Sequence, residues 1–204
     1  MSSLLFFLAL PSTLGSEFWL GRPKPERLHH FFARYEEAPP NSDVSKCTLP
    51  GSEQLPTTGF HVGSMSIDLE DANFAKAKSA VLDWGCDPAV ASSFVARSDK
   101  VMATCAQTYV PGIWVVNPVK ETYRINDNKR AAVAYTTLRG HLLQGEERLL
   151  VEKTKDGGLR LQVLSVSRGN GLKGAIVYPF IGPLQRRFFR AQLDFVEGRC
   201  QNNR

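Results

Sequence analysis

The 204-residue chain has little cysteine: Cys47, Cys86, Cys105 and Cys200 are the only four. They form no Cys-x-x-Cys pair and no Cys/His group at zinc-ligand spacing, so no metal site and no cofactor is predicted, and reduced, partly buried thiols are expected. No Asn-x-Ser/Thr acceptor occurs, which disfavours a glycosylated secreted protein. No apolar run approaches the ~20 residues of a membrane-spanning helix. A phosphate-binding Gly loop and a nucleophile elbow are both lacking; Gly157-Gly158 and the glycines at 169 and 171 read as turns. Charge of one sign is scarce as well. Twenty-five Lys and Arg against 20 Asp and Glu leave a net +5. That surplus is too dispersed for a nucleic-acid face, so no nucleic-acid partner is predicted. Hydrophobic (43%) and charged (22%) fractions lie near the globular average and exclude disorder, collagen and coiled coil.

What is present begins with a seven-residue apolar run, Leu4 to Leu10. It has the length of a short signal core, but the first basic residue, Arg22, comes after it. Residues 1–17 therefore read either as a cleaved signal or organellar leader or as an apolar extension, and a cytoplasmic location is favoured. Residues 36–58 are rich in Pro, Ser, Thr and acidic residues and read as a long, insertion-like and mobile loop.

Periodicity supplies the elements. Phe60 to Ile67 reads as a strand. Asp68-x-x-Asp71 then reads as a helix start, with Phe74, Ala77, Val81 and Trp84 as one apolar stripe and Gly85 as its stop. Strand patterns follow at Val101–Val110, Ile113–Val116, Tyr123–Ile125, Ala131–Leu138, Leu142–Lys153 and Leu159–Ser167, with an Asp156-Gly157-Gly158 hairpin before the last. Residues 183–197 read as a helix with Pro183 in its first turn. Leu184, Phe188, Ala191 and Phe195 form the stripe expected on the sheet, and Phe189, Leu193 and Val196 a second one. Successive strands with tight turns make an antiparallel sheet, which a wide-faced helix must cover. The prediction is an α+β fold, an antiparallel sheet with a long C-terminal helix, in the START-like, helix-grip order.

The stretch Tyr135-Thr136-Thr137-Leu138-Arg139-Gly140-His141, followed by Gly145-Glu146-Glu147, resembles the hallmark of domain-of-unknown-function family 1990, also called uncharacterised protein family 0548, of bacteria and plants. Phe18-Trp19-Leu20-Gly21-Arg22-Pro23 resembles its opening, and Ser167-Arg168 and Gln185-Arg186-Arg187-Phe188 its last segment. The resemblance covers residues 18–197, leaving 198–204 as a tail. Leu149 stands where the family usually has an aromatic residue, and Gly169 where it commonly has proline. The resemblance implies no established activity.

Alternation in the strand from Leu142 puts Leu143, Gly145, Glu147, Leu149 and Val151 on one face, which should point inward. A carboxylate there needs a partner, either a structural one or a ligand. The ligand-pocket candidates are Tyr135, His141, Glu147, Gln185 and Gln192; no catalytic residue is assigned. Three functions follow. The first is non-enzymatic binding of a small hydrophobic or amphipathic ligand between the sheet and the C-terminal helix. The second is an enzyme on the same scaffold using His141 and Glu147. The third is an interaction module whose basic helix face, Arg186, Arg187 and Arg190, meets a protein or anionic lipid peripherally.

Overall fold

The computed structural model describes residues 17–56, 58–70, 72–85 and 93–201, and within 172–181 the backbone only. The apolar run Leu4–Leu10, Asp71 and Cys86 lie outside the described residues. In chain order the elements are β1 (Glu17–Leu20), α1 (Pro25–Tyr35), β2 (His61–Leu69), α2 (Phe74–Leu82), β3 (Ser93–Arg97), β4 (Met102–Gln107), β5 (Ile113–Asn126), β6 (Arg130–Thr137), β7 (Leu143–Lys153), β8 (Leu159–Gly169) and α3 (Gly171–Cys200). The strands form one antiparallel sheet in the order β2-β8-β7-β6-β5-β4-β3, and β1 adds to Ile113–Val116 of β5. Tight turns make β3 to β8 sequential neighbours, while β2 closes the far edge against β8. The chain leaves β8 directly into α3, which lies with α2 over the inner face. This is the helix-grip arrangement.

The inner face is apolar where alternation demands it: Val133 on β6, Leu149 and Val151 on β7, and Leu161 and Val163 on β8 are all buried. Against them pack Ala77, Ala80 and Val81 of α2 and Phe188, Phe189, Leu193 and Val196 of α3.

Several expectations need correction. Asp68 does not start a helix: the β2–β8 ladder runs on through Leu69, and Asp68 pairs with Arg160 at 2.9 Å. The cap is Asn73, whose Oδ1 accepts from the Lys76 N–H at 3.1 Å. The segments at Ile113–Val116 and Tyr123–Ile125 are the two ends of one 14-residue strand. A bulge between Glu121 and Tyr123 bends that strand instead of ending it. Helix α3 is 30 residues long, so Pro183 lies within it and the helix runs on past residue 197 to Cys200. Packing over the sheet offsets the backbone bond that proline forfeits. The deepest stripe is the second one: Leu193 and Val196 are fully buried and Phe189 nearly so, while Leu184, Ala191 and Phe195 are only half-buried. The helix is rotated so that its buried arc centres between the two stripes. β1, β3 and α1 were not anticipated. In α1, Leu28, Phe31 and Tyr35 are buried, and the Phe31 ring meets Trp19 edge-on at 6.1 Å.

Segment 36–56 has no helix or strand of its own. It is strapped across the outer face of the sheet. Pro40 bridges to Leu138, and the Asn41 amide donates to the Leu143 carbonyl at 2.9 Å. The buried Glu146 carboxylate then accepts from the Lys46 N–H at 2.6 Å, the Thr48 N–H at 3.0 Å and the Thr48 hydroxyl at 2.7 Å. Arg148, also buried, donates to the Thr48 carbonyl, to Glu53 at 2.9 Å and to Gln162. Breakers and polar composition marked this segment as a loop; they could not show that its backbone donors find a carboxylate on β7.

Truncating the fully buried Leu193 to Ala should cost about 2–5 kcal/mol, and Phe195→Ala markedly less, because the cost scales with the cavity left; urea unfolding of the two variants checks this ordering. Glu146→Gln removes a charged acceptor of three donors, each such bond being worth about 1.5–3 kcal/mol. Limited proteolysis should then cut within residues 40–56 much faster while the circular dichroism of the domain is kept.

Candidate functional site

Glu147 projects from β7 onto the inner face, between Tyr135 of β6 and Ser165 of β8, its register partners. All three are buried. Burial pushes the Glu147 carboxyl up to about 8, and a hydrogen bond from the Tyr135 hydroxyl only moderates the rise. The Tyr135 phenol is itself held well above its ordinary range, by burial and then by the carboxylate beside it. Glu147 Oε1 has no hydrogen-bond partner among the described residues. The adjacent Arg148 cannot serve, because alternation points it to the outer face, where Thr48, Glu53 and Gln162 hold it.

Trp84 covers Tyr135, with ring centroids 5.6 Å apart and planes at 42°. Its position comes from the end of α2. The Trp84 N–H donates to Val81 at 2.9 Å and the Gly85 N–H to Ala80 at 2.9 Å, the paired bonds of a Schellman motif. The left-handed residue of that motif is usually glycine. Here it is Trp84 itself, at φ 67°, an uncommon conformation for a bulky side chain. Gly85 follows at φ 58°, where a Cβ would lie 2.7 Å from Leu149 Cδ2 and 3.3 Å from the Gln192 carbonyl. Gly85 thus lets the turn sit directly on β7 and α3. The sequence pattern took Trp84 as the last residue of a helical stripe; a Trp-Gly pair directly after a helix is the signal that was available for the turn.

Gln192 of α3 is buried, and its Nε2 donates to the Trp84 carbonyl at 3.4 Å. Its Oε1 has no partner among the described residues, and neither does Trp84 Nε1. Gln192 thus meets the Trp84 backbone, the Trp84 ring meets Tyr135 and the Tyr135 hydroxyl meets Glu147, and three of these residues each carry one buried polar atom unpartnered among the described residues. Of the five candidates, Tyr135, Glu147 and Gln192 come together here. Gln185 is half-buried on α3, two turns before Gln192 and about 10 Å along the helix from it.

His141 serves its own turn. Its N–H donates to the Leu138 carbonyl at 2.9 Å, and its Nδ1 accepts from the Leu143 N–H at 2.9 Å. Burial depresses its protonation to about 3. The imidazole is therefore neutral, with its proton on Nε2 and its Nδ1 lone pair occupied, which is the geometry of a structural residue.

Other candidates are elsewhere. An open groove of about 530 Å³ is lined by Phe74, Lys78, Leu82, Asp83, Asn128 and Lys153, none of them a predicted site residue. Arg186, Arg187 and Arg190 are exposed on α3, but Arg190 pairs with Asp194 at 2.8 Å. Cys47, Cys105 and Cys200 are buried free thiols. Among the described residues no three His, Cys, Asp or Glu approach as metal ligands would, and no helix is long and apolar enough to cross a membrane.

The two shifted groups give opposite pH dependences. Glu147, raised from 4.5 to about 8, binds more protons folded than unfolded, so its contribution to stability falls as pH rises through that window. His141, lowered from 6.5 to about 3, binds fewer protons folded, so its contribution falls as pH drops through its own window. The limbs oppose each other between 4.5 and 6.5. Above that, stability should decline by up to about 1.4 kcal/mol per pH unit until Glu147 is ionised. Urea midpoints against pH should lose the alkaline decline in Glu147→Gln and the acid decline in His141→Asn.

Residues 43–194 match the model of a domain of unknown function, DUF1990. The chain is 26% identical over 184 residues to a UPF0548 protein of Deinococcus radiodurans, covering 83% of this chain and 92% of that one. It is 28% identical over 167 residues to the UPF0548 protein At2g17695 of Arabidopsis thaliana, covering 76% and 80%. Among solved structures, hypothetical protein jhp0584 of Helicobacter pylori superposes with a TM-score of 0.50 at 14% identity, over 76% of this chain and 94% of that one. That likeness is one of fold. With the Gly-His turn and the Gly-Glu-Glu strand both inside the matched region, the chain belongs to the DUF1990 family.

Proposed function

We propose that this protein binds a small hydrophobic or amphipathic ligand without transforming it, in the space between the inner face of the sheet and α3, with Glu147, Tyr135 and Gln192 as polar anchors. The observation that carries the reading is that Glu147 Oε1, Trp84 Nε1 and Gln192 Oε1, on residues linked by the Gln192–Trp84, Trp84–Tyr135 and Tyr135–Glu147 contacts, are buried with no partner among the described residues. Each such atom costs about 1–3 kcal/mol when it is left unpaired in an interior. A ligand carrying a small polar head on an apolar body would satisfy them and bury its body against the apolar inner face. Trp84 supports the reading independently, since backbone strain held by surrounding structure is concentrated at functional sites. Gln185 lines the same helix face farther along and would meet the ligand body. The pairing of His141 with Glu147 as base and acid has no comparable support, because the Nδ1 of His141 is already engaged in its own turn.

Protein purified without organic additives should carry a bound small molecule in native mass spectra, or should bind the neutral dye Nile red with saturation. Tyr135→Phe and Gln192→Leu should each weaken dye binding about fivefold or more, matching roughly one hydrogen bond, with the circular dichroism of the folded domain kept. Saturable binding that neither variant affects would move the ligand away from this patch; no binding at all would sink the proposal.

A further inference from the structure

Resting on the pocket reading above, we infer that this site selects ligands whose polar head is a protonated amine, and rejects carboxylates. Among the described residues the ionised Glu147 presents an unpartnered Oε1 and Gln192 another, against one unpartnered donor, Trp84 Nε1, so in that state acceptors outnumber donors. A head group that only donates, as an ammonium does with three N–H bonds, matches the surplus. The charged groups around Glu147 point the same way. On its own strand Glu146 and Arg148 face outward into the strap. Across the ladder stand Tyr135 and Ser165. The buried faces packed above are Ala77, Ala80 and Val81 of α2 and Phe188, Gln192 and Leu193 of α3. No cation stands among these described groups, and the only shifts acting on the Glu147 carboxyl are burial and the Tyr135 hydroxyl.

A buried carboxylate with no cation is a half-built ion pair. A carboxylate ligand would place like charge on the ionised form and can meet only the protonated one, through a single shared proton, whereas an amine completes an ion pair with the ionised form in a low dielectric, where the pair is strong. The aromatic wall favours the same head. The Tyr135 hydroxyl donates to Glu147 and the Trp84 ring packs on Tyr135, with centroids 5.6 Å apart and planes at 42°, so aromatic rings, whose faces attract cations, stand next to the carboxyl.

Proton balance follows. Near pH 7 the Glu147 carboxyl is mostly protonated in the free protein, so binding of R–NH₃⁺ releases that proton to solvent and leaves a carboxylate–ammonium pair. No bond to carbon forms or breaks.

The test uses the full chain and three probes with one tail: decylamine, decanol and decanoate, each below its micellar concentration. Calorimetry at pH 7 should show decylamine binding at least about tenfold tighter than decanoate, a difference of 1.4 kcal/mol or more. Repeating it in buffers of different ionisation enthalpy should show about one proton released per amine bound. Glu147→Gln should cut decylamine affinity at least about tenfold more than it cuts decanol affinity. Decanoate binding as tightly as decylamine, or amine binding with no proton release, would overturn the inference and leave the pocket standing. Failure of all three probes to bind would overturn the pocket reading as well. Should Glu147→Gln fail to fold, the head-group ranking and proton count on the unaltered protein decide the matter alone.

Discussion

Three consecutive ionisable residues, Glu146, Glu147 and Arg148, are buried in the middle of β7, and strand alternation forces them onto opposite faces of the sheet. That constraint organises the molecule. The outer pair cannot be left in a dry layer unpaired, and it is not. Segment 36–56 wraps over it, giving its backbone and hydroxyl donors to Glu146 and its carbonyl and Glu53 to Arg148. The same alternation denies Arg148 to Glu147. The inner carboxyl is left with a tyrosine hydroxyl and an unpartnered oxygen. One short stretch of strand thus fastens the strap outside and sets an unneutralised acid inside.

The roof over that acid is positioned by a turn that most sequences would build differently. A Schellman motif needs a left-handed residue, and glycine supplies it without steric cost. Here tryptophan takes the position and glycine the next, where a side chain would strike Leu149 and the α3 backbone. The exchange places a large ring against Tyr135 and its carbonyl within reach of Gln192. Helix α2 is short, nine residues, so its stability comes from the packing of Ala77, Ala80 and Val81 more than from propensity. The turn and the core therefore hold each other.

Much of the fold was legible because the periods were clean. Leu159 to Ser167 and Leu142 to Lys153 alternate, Asp156-Gly157-Gly158 joins them, and the Phe-rich C-terminal stretch repeats at helical spacing. The order of those signals sufficed for a sheet gripped by a terminal helix. Of the site, the inward placement of Glu147 followed from alternation alone, and Gln192 from its position between two apolar stripes. What escaped were features decided by partners distant in sequence. The strap depends on Glu146, 100 residues from Lys46. Asp68 looked like a helix cap because its local pattern fits one, but the ladder with β8 took it into a strand. β1 is four residues long, too short to show a period, and α1 was hidden by a polar stretch of Arg, His and Glu around its three buried residues. His141 looked like a base by residue type; only its bond from the Leu143 N–H reveals a structural role.

Glu146 and Glu147 form an internal comparison that separates structure from capacity. Both are carboxylates, both are buried, and they are neighbours in one strand. Glu146 accepts from two backbone N–H groups and a hydroxyl, as a carboxylate does when its task is to hold a chain in place. Glu147 has one hydroxyl and a bare oxygen. If the inner position served packing alone, an apolar side chain among Val133, Leu149 and Val163 would do so without the desolvation cost, since burying an ionisable group is seldom a gain in stability. Two local rules are broken side by side here: a buried acid with no cation beside it among the described residues, and a tryptophan in a conformation that favours glycine.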